Sequence, residues 1–281
     1  MTPPHGPGQQ KTIPVLLYHN ITREFGMGGV WNTPKQFRMQ MEYLKANRFR
    51  TVPIDQAFGD FQERSVVITF DDGYEGIYRY ASPILTELGF TASVFLITGY
   101  VGRSNDWDVN FGVKSKHLNW EEIREMAGMG FSFYSHTRTH PNLICLDDRQ
   151  VRDELKRSKA ELEERLGTEV EYLSYPFGRY NGRVKRTARE VGYQGCFTSY
   201  PLRSNAGDRF ARRRHGIYII DTLWDFRVKT KGGDRLSLLF EDVKGKTINF
   251  LAGGTYVTKR LQHLFGKPHS VSEYDETVGF P

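Results

Sequence analysis

Two adjacent aspartates stand at the end of an apolar run, in the stretch Thr69-Phe70-Asp71-Asp72-Gly73. Neighbouring carboxylates repel each other unless a cation or a division of roles makes the pair useful. Gly73 permits the tight turn that must follow a strand at this point. A simple Asp-Gly turn is the competing interpretation, and this motif taken alone does not decide between the two.

Two histidines four residues apart, His136 and His140, follow a second predicted strand. Residues at this spacing lie on one face of a helical turn, so both imidazoles can reach a single ion. A histidine pair alone is often structural. Two histidines together with a carboxylate from another strand end would complete the three-ligand open site of a catalytic metal.

A third motif, Ser174-Tyr175-Pro176-Phe177-Gly178, ends another predicted strand. Proline and glycine around an aromatic residue can merely close a turn. The alternative interpretation is a rim that directs the Tyr175 backbone N–H at an oxyanion that develops during hydrolysis.

The elements that must position these motifs alternate along the chain. Strands are predicted at 14–19, 65–70, 92–97, 130–135, 170–175 and 196–199, and helices at 34–47, 75–88, 120–127, 149–166 and 182–191. This alternation predicts a parallel sheet covered by helices, an α/β fold. Because the carboxyl ends of barrel strands converge on one face, a barrel explains why all three motifs follow strand ends. The long segment 100–117 suits a lid or a substrate rim.

The Thr-Phe-Asp-Asp-Gly and His-x-x-x-His motifs resemble those of the polysaccharide deacetylases of carbohydrate esterase family 4, the NodB-homology group. The resemblance covers residues 13–226 and is closest to the branch that deacetylates poly-N-acetylglucosamine. It implies a distorted (β/α) barrel of the NodB-homology type. It also implies hydrolysis of the N-acetyl group of an amino sugar in a polysaccharide or oligosaccharide, with release of acetate.

The same resemblance implies roles for four residues. Asp72, His136 and His140 are expected to bind a divalent metal, and Asp71 to act as the catalytic base. The expected ion is Zn²⁺, with Co²⁺ or Ni²⁺ as possible replacements, because imidazole ligands accept all three.

Two departures from the family pattern lead to further predictions. The third motif usually opens with an arginine that orients the base, whereas Ser174 stands here, and Arg214 or a neighbour is expected to substitute. The family's late histidine motif is also missing. The apolar run that ends in His19 has the same form, so we predict a circularly permuted barrel in which His19 is the general acid, with His215 and His263 as the next candidates.

The chain is divided into a flexible leader at 1–11, a catalytic barrel at 12–230 and a C-terminal extension at 231–281. The leader lacks the apolar stretch of a secretory signal, so it is either a flexible cytosolic leader or the remnant of trimming, and a cytoplasmic protein is expected. Residues 257–265 form a basic amphipathic pattern that suits peripheral contact with the inner membrane, although packing against the barrel is the more common fate of such a stripe.

The net charge of +6 and the isoelectric point near 9.2 indicate anionic surroundings. A nucleic-acid partner is not expected, because no recognition motif accompanies the arginine cluster at 209–214, which is interpreted as a solvated or locally paired face. The two cysteines, Cys145 and Cys196, lie among apolar residues and are predicted to be small buried hydrophobes.

Three other functions compete with the N-acetylated glycan hydrolase. One is a metal-dependent amidase of the same fold that acts on a small non-sugar amide. Another is a catalytically inactive glycan-binding module, which would not need Asp71 beside an open metal site. The last is a nucleic-acid binder, which only the net charge supports and whose affinity would fall steeply with salt.

Overall fold

The structure is a computed structural model of the 281-residue chain. It describes residues 12–24, 30–59, 62–104, 115–199, 207–231, 240–241 and 243–248. The strands are β1 (Val15–Tyr18), β2 (Asn20–Ile21), β3 (Trp31–Asn32), β4 (Arg50–Thr51), β5 (Ser65–Phe70), β6 (Ser93–Leu96), β7 (Ser132–Ser135), β8 (Tyr172–Ser174), β9 (Gly195–Ser199) and β10 (Arg212–Gly216). The helices are α1 (Pro34–Ala46), α2 (Ser82–Leu88), α3 (Trp120–Gly128), α4 (Asp148–Leu166), α5 (Gly182–Val191) and α6 (Leu223–Lys231).

Parallel strands close into a barrel in the order β1-β10-β9-β8-β7-β6-β5, and β5 pairs back with β1. β4 pairs with the first two residues of β5, and β2 and β3 form a separate parallel pair. The first strand therefore lies between the last strand and the strand that precedes the two aspartates. The first and last strands are neighbours in any closed barrel, so the expected barrel class is confirmed and the circular permutation stays a prediction.

Side chains alternate between two packed layers along each strand. One layer fills the inside of the barrel, with Val15, Val67, Phe95, Tyr172 and Phe197 at its centre. The other layer packs outward against the helices and includes Leu16, Ile68, Val94, Leu173 and Cys196. Strands buried on both faces need continuous apolar runs, which is why these segments could be recognised from the sequence.

The strand ends place a polar set at the mouth of this barrel. Successive side chains of a strand point to opposite faces, so residues an even number of positions apart face the same way. By this alternation, five polar side chains at or just beyond the strand ends face the inside of the barrel: His19, Asp71, His136, Ser174 and Arg214. The apolar inner cluster thus forms the floor beneath these five side chains.

Four helices, α1, α3, α4 and α5, begin and end within one residue of the predicted positions, whereas α6 was not predicted. α4 starts with a capping box between Asp147 and Gln150 and ends at Gly167 in the left-handed conformation (φ 67°). The predicted helix at 75–88 is less regular than expected, because a π-helical turn at Ile77–Ala81 precedes α2.

The strand β10 was not predicted, because its sequence Arg212-Arg213-Arg214-His215-Gly216 is not apolar. The interpretation of this cluster as a solvated face is wrong for Arg214, whose side chain is only 1% exposed. The side chain lies inside the barrel with its guanidinium 5.2 Å from the Phe95 ring centroid and 5.8 Å from that of Phe197. Arginine can occupy such a place because its charge is paired and its plane faces aromatic rings.

The predicted boundary after residue 230 is crossed by ion pairs. Lys229, which is 2% exposed, contacts Glu241 at 2.9 Å, and Lys244 contacts Asp221 at 2.8 Å. Residues 241 and 244 thus contact α6 and the loop before it. The predicted amphipathic segment 257–265 and the leader 1–11 lie outside the described residues.

The two cysteines differ in their exposure to solvent. Cys196 is buried as predicted, but the prediction for Cys145 is wrong, because this residue is exposed at the end of a short 3-10 turn in which only Leu143 is buried. Within the described part of the chain, every helix is too short or too polar to cross a lipid bilayer.

Candidate metal centre and active site

Asp71 and Asp72 follow β5 directly, and the backbone turns sharply between them. The N–H of Asp71 still continues the sheet by donating to the Tyr18 carbonyl at 3.0 Å. Asp72 adopts the left-handed conformation with φ 68°, and Gly73 follows with φ 70°. This turn separates two carboxylates that are adjacent in sequence, so each contacts a different set of partners.

The Asp72 carboxylate faces two imidazoles. Its Oδ1 lies 3.4 Å from His136 Nε2 and 3.6 Å from His140 Nε2, and the two Nε2 atoms are 3.1 Å apart. All three residues are buried. A tetrahedral ion with ligand bonds near 2.0–2.1 Å separates its ligand atoms by about 3.3 Å, which these spacings bracket. The donor set and its size therefore fit a small divalent cation.

His136 and His140 converge, but the predicted helical turn between them is wrong. The segment 136–140 is a loop, in which Thr137 and His140 adopt left-handed conformations with φ 68° and 58°. Glu154 on α4 holds this loop by accepting the N–H groups of Arg138 and Thr139 at 2.9 Å each. The loop brings the imidazoles together by irregular backbone rather than by helical periodicity.

His136 is oriented by the strand beside it. Its Nδ1 lies 2.9 Å from the backbone carbonyl of Ser174. Because a carbonyl oxygen only accepts hydrogen bonds, Nδ1 carries the proton in this contact, and the neutral ring presents the lone pair of Nε2 to the centre of the trio. The hydrogen bond from Nδ1 thus fixes the ring in the Nδ1–H tautomer, which leaves Nε2 free to bind a metal.

Asp71 belongs to a different arrangement. Arg214 donates from Nη1 to Oδ1 at 2.7 Å and from Nη2 to Oδ2 at 2.6 Å, a two-point pairing. The Ser174 hydroxyl accepts a hydrogen bond from Arg214 Nη2 at 2.7 Å and donates to Asp71 Oδ2 at 2.9 Å. The expectation that Arg214 compensates for the serine at position 174 is thus supported by direct contacts.

The pKa values of the two carboxyls shift in the same direction. Burial on its own raises the pKa of Asp71, but the Arg214 and His136 charges and the Arg214 hydrogen bonds bring it below the ordinary value. Burial also acts against ionisation of Asp72, whose pKa is nevertheless held well below its usual range by the hydrogen bond with His136 and the His140 charge. Both groups are therefore anions at neutral pH.

The two imidazoles have opposite shifts. Burial and the nearby His136 charge lower the pKa of His140 to about 3, so this ring is neutral. Burial lowers the pKa of His136 as well, but the carboxylates of Asp71 and Asp72 outweigh it, and the net pKa is raised. His140 is thus ready to bind a cation without losing a proton, whereas the two carboxylates stabilise the protonated form of His136, which must lose its Nε2 proton before that nitrogen can bind a cation.

His19 lies at the end of β1, on the side of the barrel mouth that includes both aspartates. Burial lowers the pKa of His19. The charges of Asp72 and Asp71 act in the opposite direction, the Arg214 charge adds to the effect of burial, and the net pKa is below the ordinary value. Among the described residues, its buried Nδ1 has no hydrogen-bond partner. The predicted position of His19 beside the candidate site is therefore supported, although its role stays a prediction.

His215, the reserve candidate, points away from the site. It alternates with Arg214 along β10, so its side chain leaves the opposite face of the strand. Burial lowers its pKa to about 3, followed by the charges of Arg213, Lys229 and Arg212, with neither aspartate among the causes. The other reserve candidate, His263, lies outside the described residues.

The prediction for Tyr175 needs correction. Its backbone N–H donates to the Phe197 carbonyl at 3.0 Å and so continues the β8–β9 pairing. An N–H group used in this way is not directed at an oxyanion, because the strand register fixes its direction toward β9. The Tyr175 side chain is also engaged, since its hydroxyl donates to the Phe210 carbonyl at 3.0 Å. Tyr175 supports the barrel wall in this structure.

Left-handed backbone is concentrated at this site. Asp72, Thr137, His140 and Phe177 have φ values of 68°, 68°, 58° and 58°. Such conformations cost about 1–3 kcal/mol each for residues other than glycine and persist only where the surroundings enforce them. The Phe177 ring contributes to those surroundings by packing on His140 with ring centroids 4.7 Å apart.

One buried residue next to the site was missed by the sequence reasoning. His117 Nδ1 lies 2.9 Å from the Asp72 carbonyl, and its ring stacks on Tyr74. The segment that contains it was predicted only as a loop or rim, and no spacing or strand pattern marks the histidine.

Comparisons with known proteins identify similar sequences and structures. The sequence model of the polysaccharide deacetylase family matches residues 58–196. The chain is 32% identical to YxkH of Bacillus subtilis, whose name places it among the polysaccharide deacetylases, over 67% of this chain and 65% of that protein. It is 26% identical to a poly-beta-1,6-N-acetyl-D-glucosamine N-deacetylase of Staphylococcus aureus, over 70% of this chain and 71% of that one.

The fold has a similar counterpart among solved structures. A polysaccharide deacetylase from Bacillus cereus superimposes with a TM-score of 0.67 at 27% identity, covering 78% of this chain and 69% of that one. The chain spans slightly less than two thirds of the Bacillus subtilis relative.

Proposed function

Since the chain belongs to the polysaccharide deacetylase family, we propose that it hydrolyses the N-acetyl group of an amino sugar in a polysaccharide or oligosaccharide. One observation carries this proposal. Asp72 joins two imidazoles in a trio of the size that a divalent cation needs, while the adjacent Asp71 is held apart by Arg214 and Ser174. A metal ligand and an oriented base thus stand side by side at one barrel mouth.

The residues that would hold the ion are Asp72, His136 and His140. Two nitrogen donors and one oxygen donor favour zinc, and cobalt or nickel also suit imidazole ligands. The bound cation would supply the Lewis acidity that lowers the pKa of a water molecule and polarises an amide carbonyl.

Asp71 would act as the general base that accepts the proton of the attacking water. The two-point contact with Arg214 and the hydrogen bond from Ser174 hold its carboxylate in one orientation. Its lowered pKa keeps it ionised before the reaction. The same low basicity makes the captured proton easy to pass on, and a positioned base is typically worth 10²–10⁴-fold in rate.

His19 would deliver a proton to the nitrogen of the departing amine. The amide C–N bond breaks, the acetyl carbon keeps the oxygen of the water as acetate, and the sugar retains a free amine. His19 suits this role because it lies across the barrel mouth from the 136–140 loop, on a strand that pairs with β5 and β10. Its lowered pKa makes its protonated form a good donor.

The name of one relative supports a proposal for the substrate class. The Staphylococcus aureus protein is named for poly-beta-1,6-N-acetyl-D-glucosamine, and its similarity covers 70% of this chain. We therefore assign an N-acetylglucosamine-type glycan as the substrate.

The test is acetate release from β-1,6-linked N-acetylglucosamine oligomers, compared with a panel of cyclic amides, after the metal content of the protein has been measured. The Asp71→Asn variant, which keeps the metal ligands, is the matched control for contaminating hydrolase. We expect release from the glycan that stops when the metal is removed by a chelator. Turnover of the cyclic amides alone would favour the small-amide amidase, and binding of oligomers without release would favour an inactive glycan-binding module.

A further inference from the structure

A short segment at 115–118 runs along the turn that carries the two aspartates. Leu118 N–H donates to the Gly73 carbonyl at 2.8 Å, and Glu75 N–H donates to the Lys116 carbonyl at 2.8 Å. Tyr74 and His117 form an antiparallel bridge between these two backbone bonds. The turn after β5 is thus paired on its outer side with a segment more than forty residues away, a separation of 45 between Asp72 and His117.

His117 is the side chain that this segment directs at the turn. Its Nδ1 lies 2.9 Å from the backbone carbonyl of Asp72, and the residue is 4% exposed. The Tyr74 ring stacks on it at 4.9 Å and 22°, and the Tyr100 ring lies 5.6 Å away. Because a carbonyl oxygen only accepts, the imidazole donates this hydrogen bond, and the two rings fix the direction of the donor.

The Asp72 carbonyl that accepts this hydrogen bond belongs to a strained part of the backbone. Asp72 and Gly73 are consecutive left-handed residues, and a Cβ at position 73 would meet the Leu96 side chain at 2.5 Å. A turn of this kind does not persist without contacts that enforce it. The direction of the Asp72 carbonyl is coupled to the ψ angle of that residue, and so to where its carboxylate points.

We propose that His117 is a positioning residue that acts through the Asp72 backbone. By holding the Asp72 carbonyl, it keeps the carboxylate Oδ1 within 3.4 and 3.6 Å of the two imidazole nitrogens. The inference rests on the proposed metal site and deepens it, because it assigns part of the affinity for the ion to a residue that does not bind the ion. Groups that orient a metal ligand typically contribute 10- to 100-fold in metal affinity.

The experiment compares two substitutions of equal size, His117→Asn and His117→Leu. Asparagine keeps a side-chain N–H near the position of Nδ1, whereas leucine has the same shape and no donor. His117→Phe, which keeps a flat ring between the tyrosines, is a further variant without the donor. His215→Leu serves as a control, because that histidine is half-buried on the outer face of β10.

The measurement is the Zn²⁺ dissociation constant from competition with a chromophoric chelator, with thermal unfolding of each metal-free protein as a check on the fold. We expect His117→Leu and His117→Phe to bind Zn²⁺ about 10- to 100-fold more weakly than the unsubstituted protein. His117→Asn should bind Zn²⁺ nearly as tightly as the unsubstituted protein, and His215→Leu should bind it equally tightly. At saturating Zn²⁺ the turnover of His117→Leu should return toward that of the unsubstituted protein.

Equal dissociation constants for the asparagine and leucine variants would overturn the positioning role, because they would show that the donor is not what matters. If His117→Phe does not fold, the comparison of His117→Asn with His117→Leu still tests the positioning role. An unsubstituted protein that binds neither Zn²⁺, Co²⁺ nor Ni²⁺ would instead defeat the proposed metal site itself.

Discussion

Arg214 donates from both terminal nitrogens to the two carboxylate oxygens of Asp71, at 2.7 and 2.6 Å, across a sequence separation of 143 residues. The pair is buried, and β10 and β5 lie on either side of β1 in the barrel. A two-point contact fixes the plane of the carboxylate, which a single cation at the same distance would not do.

Arg214→Lys should therefore lower kcat although the charge is retained, because an ammonium cannot hold both oxygens in one plane. We expect a loss of about 10-fold or more, on the scale of one misoriented catalytic base. Arg214→Met should also destabilise the protein, by about 3–5 kcal/mol, since it leaves a buried carboxylate unpaired. Steady-state kinetics and thermal unfolding check both effects. Unchanged kcat in Arg214→Lys would show that orientation of Asp71 is unimportant.

Substitution by asparagine should have different effects at the two aspartates. Asp71→Asn is expected to keep the metal and lose turnover by about 10²-fold or more, as when a general base is removed. Asp72→Asn is expected to weaken metal binding, because the amide lacks the anionic oxygen that faces the imidazoles. Metal content by elemental analysis, measured beside acetate release, distinguishes them. Equal loss of metal from both variants would contradict the division of roles.

His136→Ala and His140→Ala should each strip the ion and abolish hydrolysis, since three ligands are the minimum for a catalytic site of this kind. His215→Ala is the matched control, because that half-buried histidine faces away from the site. Metal stoichiometry after dialysis is the measurement. A His140→Ala protein with full occupancy would remove that residue from the ligand set.

Metal affinity should fall as the pH falls through the pKa of His136. Burial lowers this pKa, but the charges of Asp71 and Asp72 raise it above the ordinary value. Below the raised pKa, a cation must displace a proton from His136, whereas above it no proton leaves. Affinity should then drop by up to about tenfold per pH unit below that pKa. Calorimetric titration in buffers of different ionisation enthalpy counts the released proton, and a proton count that does not change with pH would contradict the coupling.

His19→Ala should retain metal and fold while turnover falls by about 10²- to 10⁴-fold, the usual contribution of a positioned acid. The loss should be smaller for substrates with better leaving amines, which need less protonation. Kinetics on N-acetylated substrates with graded amine basicity provide the measurement. Near-normal turnover would defeat the assignment, and the orientation of His215 gives it no claim to the same role.

The Asp-Asp-Gly motif, the histidine pair and the strand that ends in His19 were all recognisable in the sequence. The Asp-Asp-Gly motif and His19 each follow a continuous apolar run, because a strand buried on both faces requires one. The histidine pair follows a shorter strand with Phe133 and Tyr134 at its centre and a serine at each end. Parallel strands bring their carboxyl ends to one face, so the convergence of these motifs could be predicted as well.

Tertiary structure alone decided how those residues are arranged. The strand of Arg214 has no apolar pattern, because its central side chain is stabilised by Asp71 and two aromatic rings from distant strands. His136 and His140 meet through left-handed backbone enforced by Glu154, which helical spacing does not describe. Tyr175 N–H is taken by the strand register, and His117 is brought to Asp72 by a loop. Local patterns determine which residues reach the barrel mouth, whereas long-range hydrogen bonds determine the direction in which each one points.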